Sequence, residues 1–199
     1  SLSVLLHVLG VTKGNKSRAT TRIPEWIKES PKWIKRLYLA GLFGAELTKP
    51  AQRKGENYRF LEPSFSQNKI MALSNGNLNF MLDILKVLGE FGIEVNNIYE
   101  QEGIVNSYGE KTKKLAIRIS SKEENLIKLW GTIGFEYCKE RQKASMAALA
   151  YLKRKRQYMD KTRDFFQESK ELVAEGKCTE KEMIELAQER GFSRAVAKI

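Results

Sequence analysis

Residues 37–47 read Leu37-Tyr38-Leu39-Ala40-Gly41-Leu42-Phe43-Gly44-Ala45-Glu46-Leu47, and this stretch decides the fold. Leu37, Gly41 and Ala45 fall at i, i+4 and i+8, and Ala40 and Gly44 form a parallel row, the spacing of one helix face. Glycine in a helix interior costs about 1 kcal/mol relative to alanine. Two in one helix therefore imply a compensating close approach. The partner is either a second helix packed backbone to backbone or a neighbouring segment of the same domain. Upstream, Ser30-Pro31 is a helix start, so Lys32 to Glu46 reads as one apolar-rich helix. Ile23-Pro24-Glu25-Trp26-Ile27 opens the unit that precedes it.

Outward from this helix the pattern changes. Residues 47–57 are polar and punctuated by glycine and proline, which suits a strand-and-loop excursion. Tyr58 to Lys69 alternates, with Phe60, Glu62, Ser64, Ser66 and Asn68 on one parity, and predicts a strand with a polar face. Ser74-Asn75 caps a helix from Asn77 to Phe91, which Gly92 stops. Val95–Ile104 and Lys111–Ile119 are two β-rich runs joined at Asn106-Ser107-Tyr108-Gly109, a hairpin. Ser120 and Ser121 start a helix running to Leu129, Gly134 breaks it, and Lys139 to Lys161 is a long basic helix. The expected class is α+β: an αββαββα repeat with an antiparallel sheet, followed by a small helical tail.

Three segments follow. Residues 1–22 are a short helix and a basic linker; 23–160 are the main domain; 161–199 are a helical tail. In the tail, Phe165–Ala174 and Glu180–Arg190 flank Gly176, and Gly191 and Ser193 start a third helix. This spacing reads either as a helix-turn-helix or as a packing appendage.

Composition narrows the chemistry. The 199 residues carry 35 Lys+Arg against 24 Asp+Glu, a formal net charge of +11. That surplus favours a polyanionic partner. The single histidine, His7, excludes a His-metal nuclease, an HNH-like site and a Ser-His-Asp triad. Cys138 and Cys178 lie far apart and suggest neither a disulfide framework nor a zinc site. No apolar run approaches the roughly 18–20 residues of a membrane span, and no basic stretch precedes the apolar residues 1–9, so a cytoplasmic location is expected.

The 37–47 stretch resembles the motif helix of the LAGLIDADG homing endonucleases. Ile23-Pro24-Glu25-Trp26-Ile27, Leu115 to Lys122 and Thr132-Ile133-Gly134-Phe135 resemble other parts of the same repeat, so the likeness covers residues 23–158. It implies a site-specific double-strand DNA endonuclease of the intron-homing kind, a Mg²⁺-dependent endodeoxyribonuclease. The alternative is a catalytically degenerate DNA- or RNA-binding module, a regulator or maturase-like protein. Glu46 matches the second acidic position of the motif, and the resemblance implies that it holds Mg²⁺ or another divalent cation at the scissile phosphate. A carboxylate at a helix C-terminus opposes the helix dipole unless a cation compensates it. Lys49, three residues on, resembles the active-site lysine; the competing reading is a phosphate contact. Gly44 and Leu47 depart from the motif, the first replacing an aspartate and the second a glycine.

One repeat holds one such carboxylate, so the resemblance implies a second repeat. It would come from a homodimer or another half, paired through Leu37, Ala40, Gly41, Gly44 and Ala45. Double-stranded DNA is the expected partner, read from the strand faces. The DNA-binding candidates are Arg53, Arg59, Ser64, Ser66, Asn68 and Lys69 in the first pair of strands. The second hairpin adds Tyr99, Gln101, Tyr108, Lys111, Lys113, Lys114 and Arg118. The basic helix, with Arg141 and Lys153-Arg154-Lys155-Arg156, suits backbone contacts or a solvated face equally.

Overall fold

In the computed structural model, residues 2–12 and 14–192 are described. The third tail helix expected from Ser193 onward lies outside them. The chain divides into two compact units, Ser1–Leu149 and Ala150–Ile199. The class is α+β, with two small antiparallel sheets. Among the described residues no helix is long and apolar enough to cross a membrane.

The first unit opens with α1 (Leu2–Val8), a 3₁₀ turn at Lys16–Arg18, and α2 (Glu25–Lys28). The helix α3 then runs from Lys32 to Glu46, as its start and stop signals predict, and buries Leu39, Ala40 and Phe43. The single strand expected over Tyr58–Lys69 is two. Strand β2 (Glu56–Phe60) pairs with β1 (Gln52–Arg53), and β3 (Ser64–Ile70) joins another sheet. Pro63 lies between them and has no N–H to continue a ladder. Helix α4 (Ser74–Glu90) follows, then β4 (Val95–Val105), β5 (Lys111–Ile119) and α5 (Glu123–Lys128). A π-helical turn, Leu129–Ile133, continues α5 to Gly134, whose φ of 68° ends it.

The three-stranded sheet has the order β3-β5-β4, all antiparallel. Its alternation sorts side chains by face. Phe65 faces Ile117, which faces Ile98. The rings of Phe43 and Phe80 pack against Phe65 at centroid distances of 6.1 and 6.2 Å, joining α3 and α4 to that face. Fully burying a ring of this size is worth about 1.5–3 kcal/mol. Gly103 is needed where β4 crosses Thr112: a Cβ there would lie 2.3 Å from the Thr112 hydroxyl.

Helix α6 spans Lys139–Ala174, not two helices meeting near residue 161. Nothing in Lys161-Thr162-Arg163-Asp164 breaks a helix, and Gly176 is the first left-handed position beyond it. In the second unit Phe165, Met183 and Ala187 form a small core with Leu172, Ile184 and Phe192 around it. Helix α7 (Glu180–Glu189) carries a capping box, in which Thr179 and Glu182 satisfy each other's backbone N–H.

Candidate nucleic-acid interface and the Glu46 site

Seven of the predicted contact residues share one face. Ser64 pairs with Arg118, Ser66 with Ala116 and Asn68 with Lys114 between β3 and β5. Asn97, Tyr99 and Gln101 pair with Arg118, Ala116 and Lys114 from the other side. Because side chains alternate, the register puts Ser64, Ser66, Asn68, Lys114, Arg118, Tyr99 and Gln101 on the face opposite Phe65 and Ile117. Ala116, fully buried, keeps the middle of this face low. The Arg118 guanidinium lies 4.3 Å from the centre of the Tyr99 ring. Burial pushes the Tyr99 phenol up, but hydrogen bonds to Ser64 and Arg118 and the charges of Arg118 and Lys114 outweigh it. The net result is a pKa below the ordinary tyrosine value. Among the described residues neither Lys114 nor Arg118 is ion-paired to a carboxylate.

The remaining predicted contacts lie elsewhere. Lys113 is on the opposite face and pairs with Glu100 at 2.5 Å. Lys69, across from it in register, is 1% exposed. Its ammonium donates to the carbonyls of Lys16 (2.7 Å) and Ala19 (2.7 Å) and to the Thr21 hydroxyl (2.8 Å). It therefore faces the protein interior, not a groove. Tyr108 is at the hairpin tip beneath the Arg18 guanidinium, 4.2 Å away, and Arg18 also binds Glu110 through both nitrogens at 2.9 Å. That pairing holds the Glu110 carboxyl below its usual range. Lys111 is exposed where β5 begins, and Arg53 and Arg59 are exposed on the separate β1–β2 sheet.

At the end of α3 the two proposed catalytic groups are apart in their partners. Glu46 is bonded to the ammonium of Lys16, and Lys49 reaches Glu140 at 3.0 Å. The cations that a C-terminal carboxylate requires are supplied by the chain. Lys16 is one. Arg141 is the other: its Nη1 donates to the carbonyl oxygens of Phe43 (3.1 Å) and Leu47 (2.5 Å), capping the negative end of the helix. Among the described residues no three His, Cys, Asp or Glu side chains gather as a metal group.

The small residues of α3 are used within the chain. A Cβ on Gly41 would lie 3.4 Å from the Tyr137 ring, and one on Gly44 would lie 3.5 Å from the Cys138 Cβ. Ala40 is buried, Leu37 half-buried and Ala45 exposed. Two clefts meet at Glu46. One, of about 590 Å³, is mostly apolar and includes Leu6, Leu9, Trp26, Tyr38, Leu42 and Ala45. The other, of about 370 Å³, is polar and includes Asn15, Ser17, Ser66, Asn68 and Asn106. Lys16, Glu46 and Gln67 line both. The Oε1 of Gln67, a residue 4% exposed, has no hydrogen-bond partner among the described residues. Sequence reasoning missed Lys16, Gln67 and Arg141 in this site. The contacts of Lys16 and Arg141 span 30 and 94–98 residues of chain and leave no local pattern.

This chain is similar to segments of proteins with quite different names. It is 39% identical over 155 residues to the tRNA-splicing ligase RtcB of Methanopyrus kandleri and 35% identical over 175 residues to that of Pyrococcus furiosus. It is also 36% identical over 159 residues to the DNA-directed RNA polymerase subunit Rpo1N of Methanocaldococcus jannaschii. These matches cover 78%, 88% and 80% of the chain, but only 15%, 17% and 11% of the respective relatives. No family model matches, and no solved structure matches.

These names correct the reading drawn from the motif helix. The relatives are a tRNA-splicing ligase and an RNA polymerase subunit, not LAGLIDADG endonucleases. The intron-homing endonuclease and the regulator or maturase-like alternative are both set aside. The physical reason the motif misled is visible in α3: a stripe of small residues signals close approach, and Tyr137 and Cys138 of the same chain make that approach.

Proposed function

We propose that this chain is a module carried inside larger proteins and that it holds nucleic acid on the polar face of its three-stranded sheet. Two observations support the reading. Most of the chain recurs within proteins of different names, at a small fraction of their length, which suits a module with a role separable from theirs. Those names share nucleic acid, tRNA in one and DNA and RNA in the other. The observation that carries the reading is the row itself. Among the described residues Lys114 and Arg118 lie without carboxylate partners amid Ser64, Ser66, Asn68, Tyr99 and Gln101. Arginine and lysine set register on phosphates, and asparagine and glutamine offer both a donor and an acceptor to base edges. Ligation, named for two relatives, is assigned to the whole proteins and not to this segment.

The sequence expects duplex DNA; the tRNA named among the relatives makes duplex RNA the second arm of the test. Hydrogen exchange of the chain, with and without a short duplex of each kind, is expected to protect Ser64–Asn68, Tyr99–Gln101 and Lys114–Arg118. Protection confined to residues outside the sheet, with either duplex, would sink the reading.

A divalent cation at Glu46 would take carboxylate oxygens, as Mg²⁺ does, and would have to displace Lys16. Calorimetric titration of Mg²⁺ into the native chain and Lys16→Ala tests this, with tighter binding expected in the variant. A second copy packed on α3 would meet Leu37 and Ala45, the less covered members of its small-residue face. Sedimentation of the native chain against Ala45→Trp tests that pairing, with dimer lost in the variant and an unchanged distribution counting against it.

A further inference from the structure

We propose that residues 15–21 form a strap latched over Glu46 from below by Lys69, and that release of the strap uncovers the carboxylate. This inference does not depend on nucleic-acid binding. Between Asn15 and Thr21 no residue is buried, and the turn Lys16–Arg18 has no apolar anchor. A segment with so little buried apolar surface sits at the low end of local stability. Besides hydrogen bonds from Thr12 to the Thr20 carbonyl (3.2 Å) and from Asn106 to the Ser17 hydroxyl (3.4 Å), three polar points hold it. Lys16 bonds Glu46 at one end, and Arg18 grips Glu110 on the β4–β5 connection. Beneath the strap, the Lys69 ammonium donates to Lys16, Ala19 and Thr21 at 2.7, 2.7 and 2.8 Å.

The third point differs in kind from the other two. The ion pairs at the strap surface are solvent-exposed, with side-chain exposures of 54% and 26% for Lys16 and Glu46 and 46% and 32% for Arg18 and Glu110. Exposed pairs hold weakly. Lys69 is buried, and every acceptor it has among the described residues belongs to the strap. If the strap leaves, a buried ammonium loses all three partners at once, which makes the closure cooperative. A methionine of similar length could fill the same space without this dependence. The groups facing Lys69 from its surroundings are Lys16 on the strap, Glu46 beyond Lys16, and Lys113 with Glu100 across the sheet.

What the strap covers is specific. Asn15, Lys16 and Ser17 wall the polar cleft, while Gly14, Lys16, Ala19 and Thr21 wall the apolar one. Glu46 and the unpartnered Gln67 Oε1 lie where the two meet. With the strap displaced, both acceptors open to one continuous space.

Limited trypsin digestion reads the strap directly, because Lys16 and Arg18 are themselves cleavage sites. Lys69→Met is expected to raise cleavage after these two residues at least tenfold. Carbodiimide labelling of Glu46 should rise in parallel, and the amides of α4 and β5 should keep native exchange protection. Cleavage and labelling at native rates in a folded Lys69→Met would overturn the proposal. If Lys69→Met does not fold, Thr21→Val combined with Glu110→Gln decides, since neither substitution touches the core. Accelerated cleavage supports the latch, and unchanged cleavage overturns it.

Discussion

Lys69 is a charged residue that its place in the strand pattern puts on the buried face. Alternation along β3 gives it the same parity as Phe65 and Gln67, and the structure buries all three. Burial, with the nearby charge of Lys16, lowers its pKa from 10.5 to about 8. The unfolded chain therefore holds this proton to higher pH than the folded one. Between about pH 8 and 10 the unfolded state binds more protons at this site, so its contribution to stability rises with pH across that window. Denaturant unfolding at pH 7 and at pH 9.5 should show a smaller gain for Lys69→Met than for the native chain. Equal gains would remove Lys69 as the cause. Tyr38, pushed up to about 12 chiefly by burial, acts in the opposite direction, but only above pH 10.

At the scale of elements, α3 is held at its end by a side chain from another helix. Arg141 stands in the first turn of α6 and donates to the carbonyls of Phe43, which also accepts the Leu47 N–H, and of Leu47, at the end of α3. Arg141→Ala should cost about 1–2 kcal/mol, the loss of two charge-assisted bonds at a helix end. Chemical denaturation checks it, and Arg141→Lys should recover part of the loss.

Elements of this kind were legible where the signal was local. The limits of α3, the β4–β5 hairpin and the glycine stops followed from caps, alternation and left-handed positions. The polar face of the sheet was legible too, because a period of two fixes which residues share it. The side of Lys69 and Lys113 was misread: alternation puts Lys69 with Phe65 and Lys113 with Leu115 and Ile117, yet both read as contact residues because a lysine more often faces solvent. The pairing of Lys16 with Glu46 and of Arg141 with α3 was also illegible, since tertiary approach over 30 and 94–98 residues leaves no trace in spacing. The small-residue stripe announced a close approach but not the identity of what approaches.

Across the whole molecule, the surplus of positive charge is unevenly used. Within the second unit, α7 carries Glu182, Glu185 and Glu189 against Lys181, a poor surface for phosphate. The stretch Lys153 to Arg156 in α6 is strongly basic. The sheet of the first unit combines charge with base-reading side chains, which suits it to hold a duplex. The salt dependence of duplex binding tests that role most directly. Each phosphate contact adds about 0.9 to the slope of log K against log salt for a DNA duplex. Fluorescence anisotropy with a labelled duplex, repeated from low to moderate salt, gives that slope for the native chain and for Lys114→Ala/Arg118→Ala. Weaker binding by the double variant and a slope reduced by about 2 are expected. Equal affinity and an equal slope for the two proteins would contradict that role.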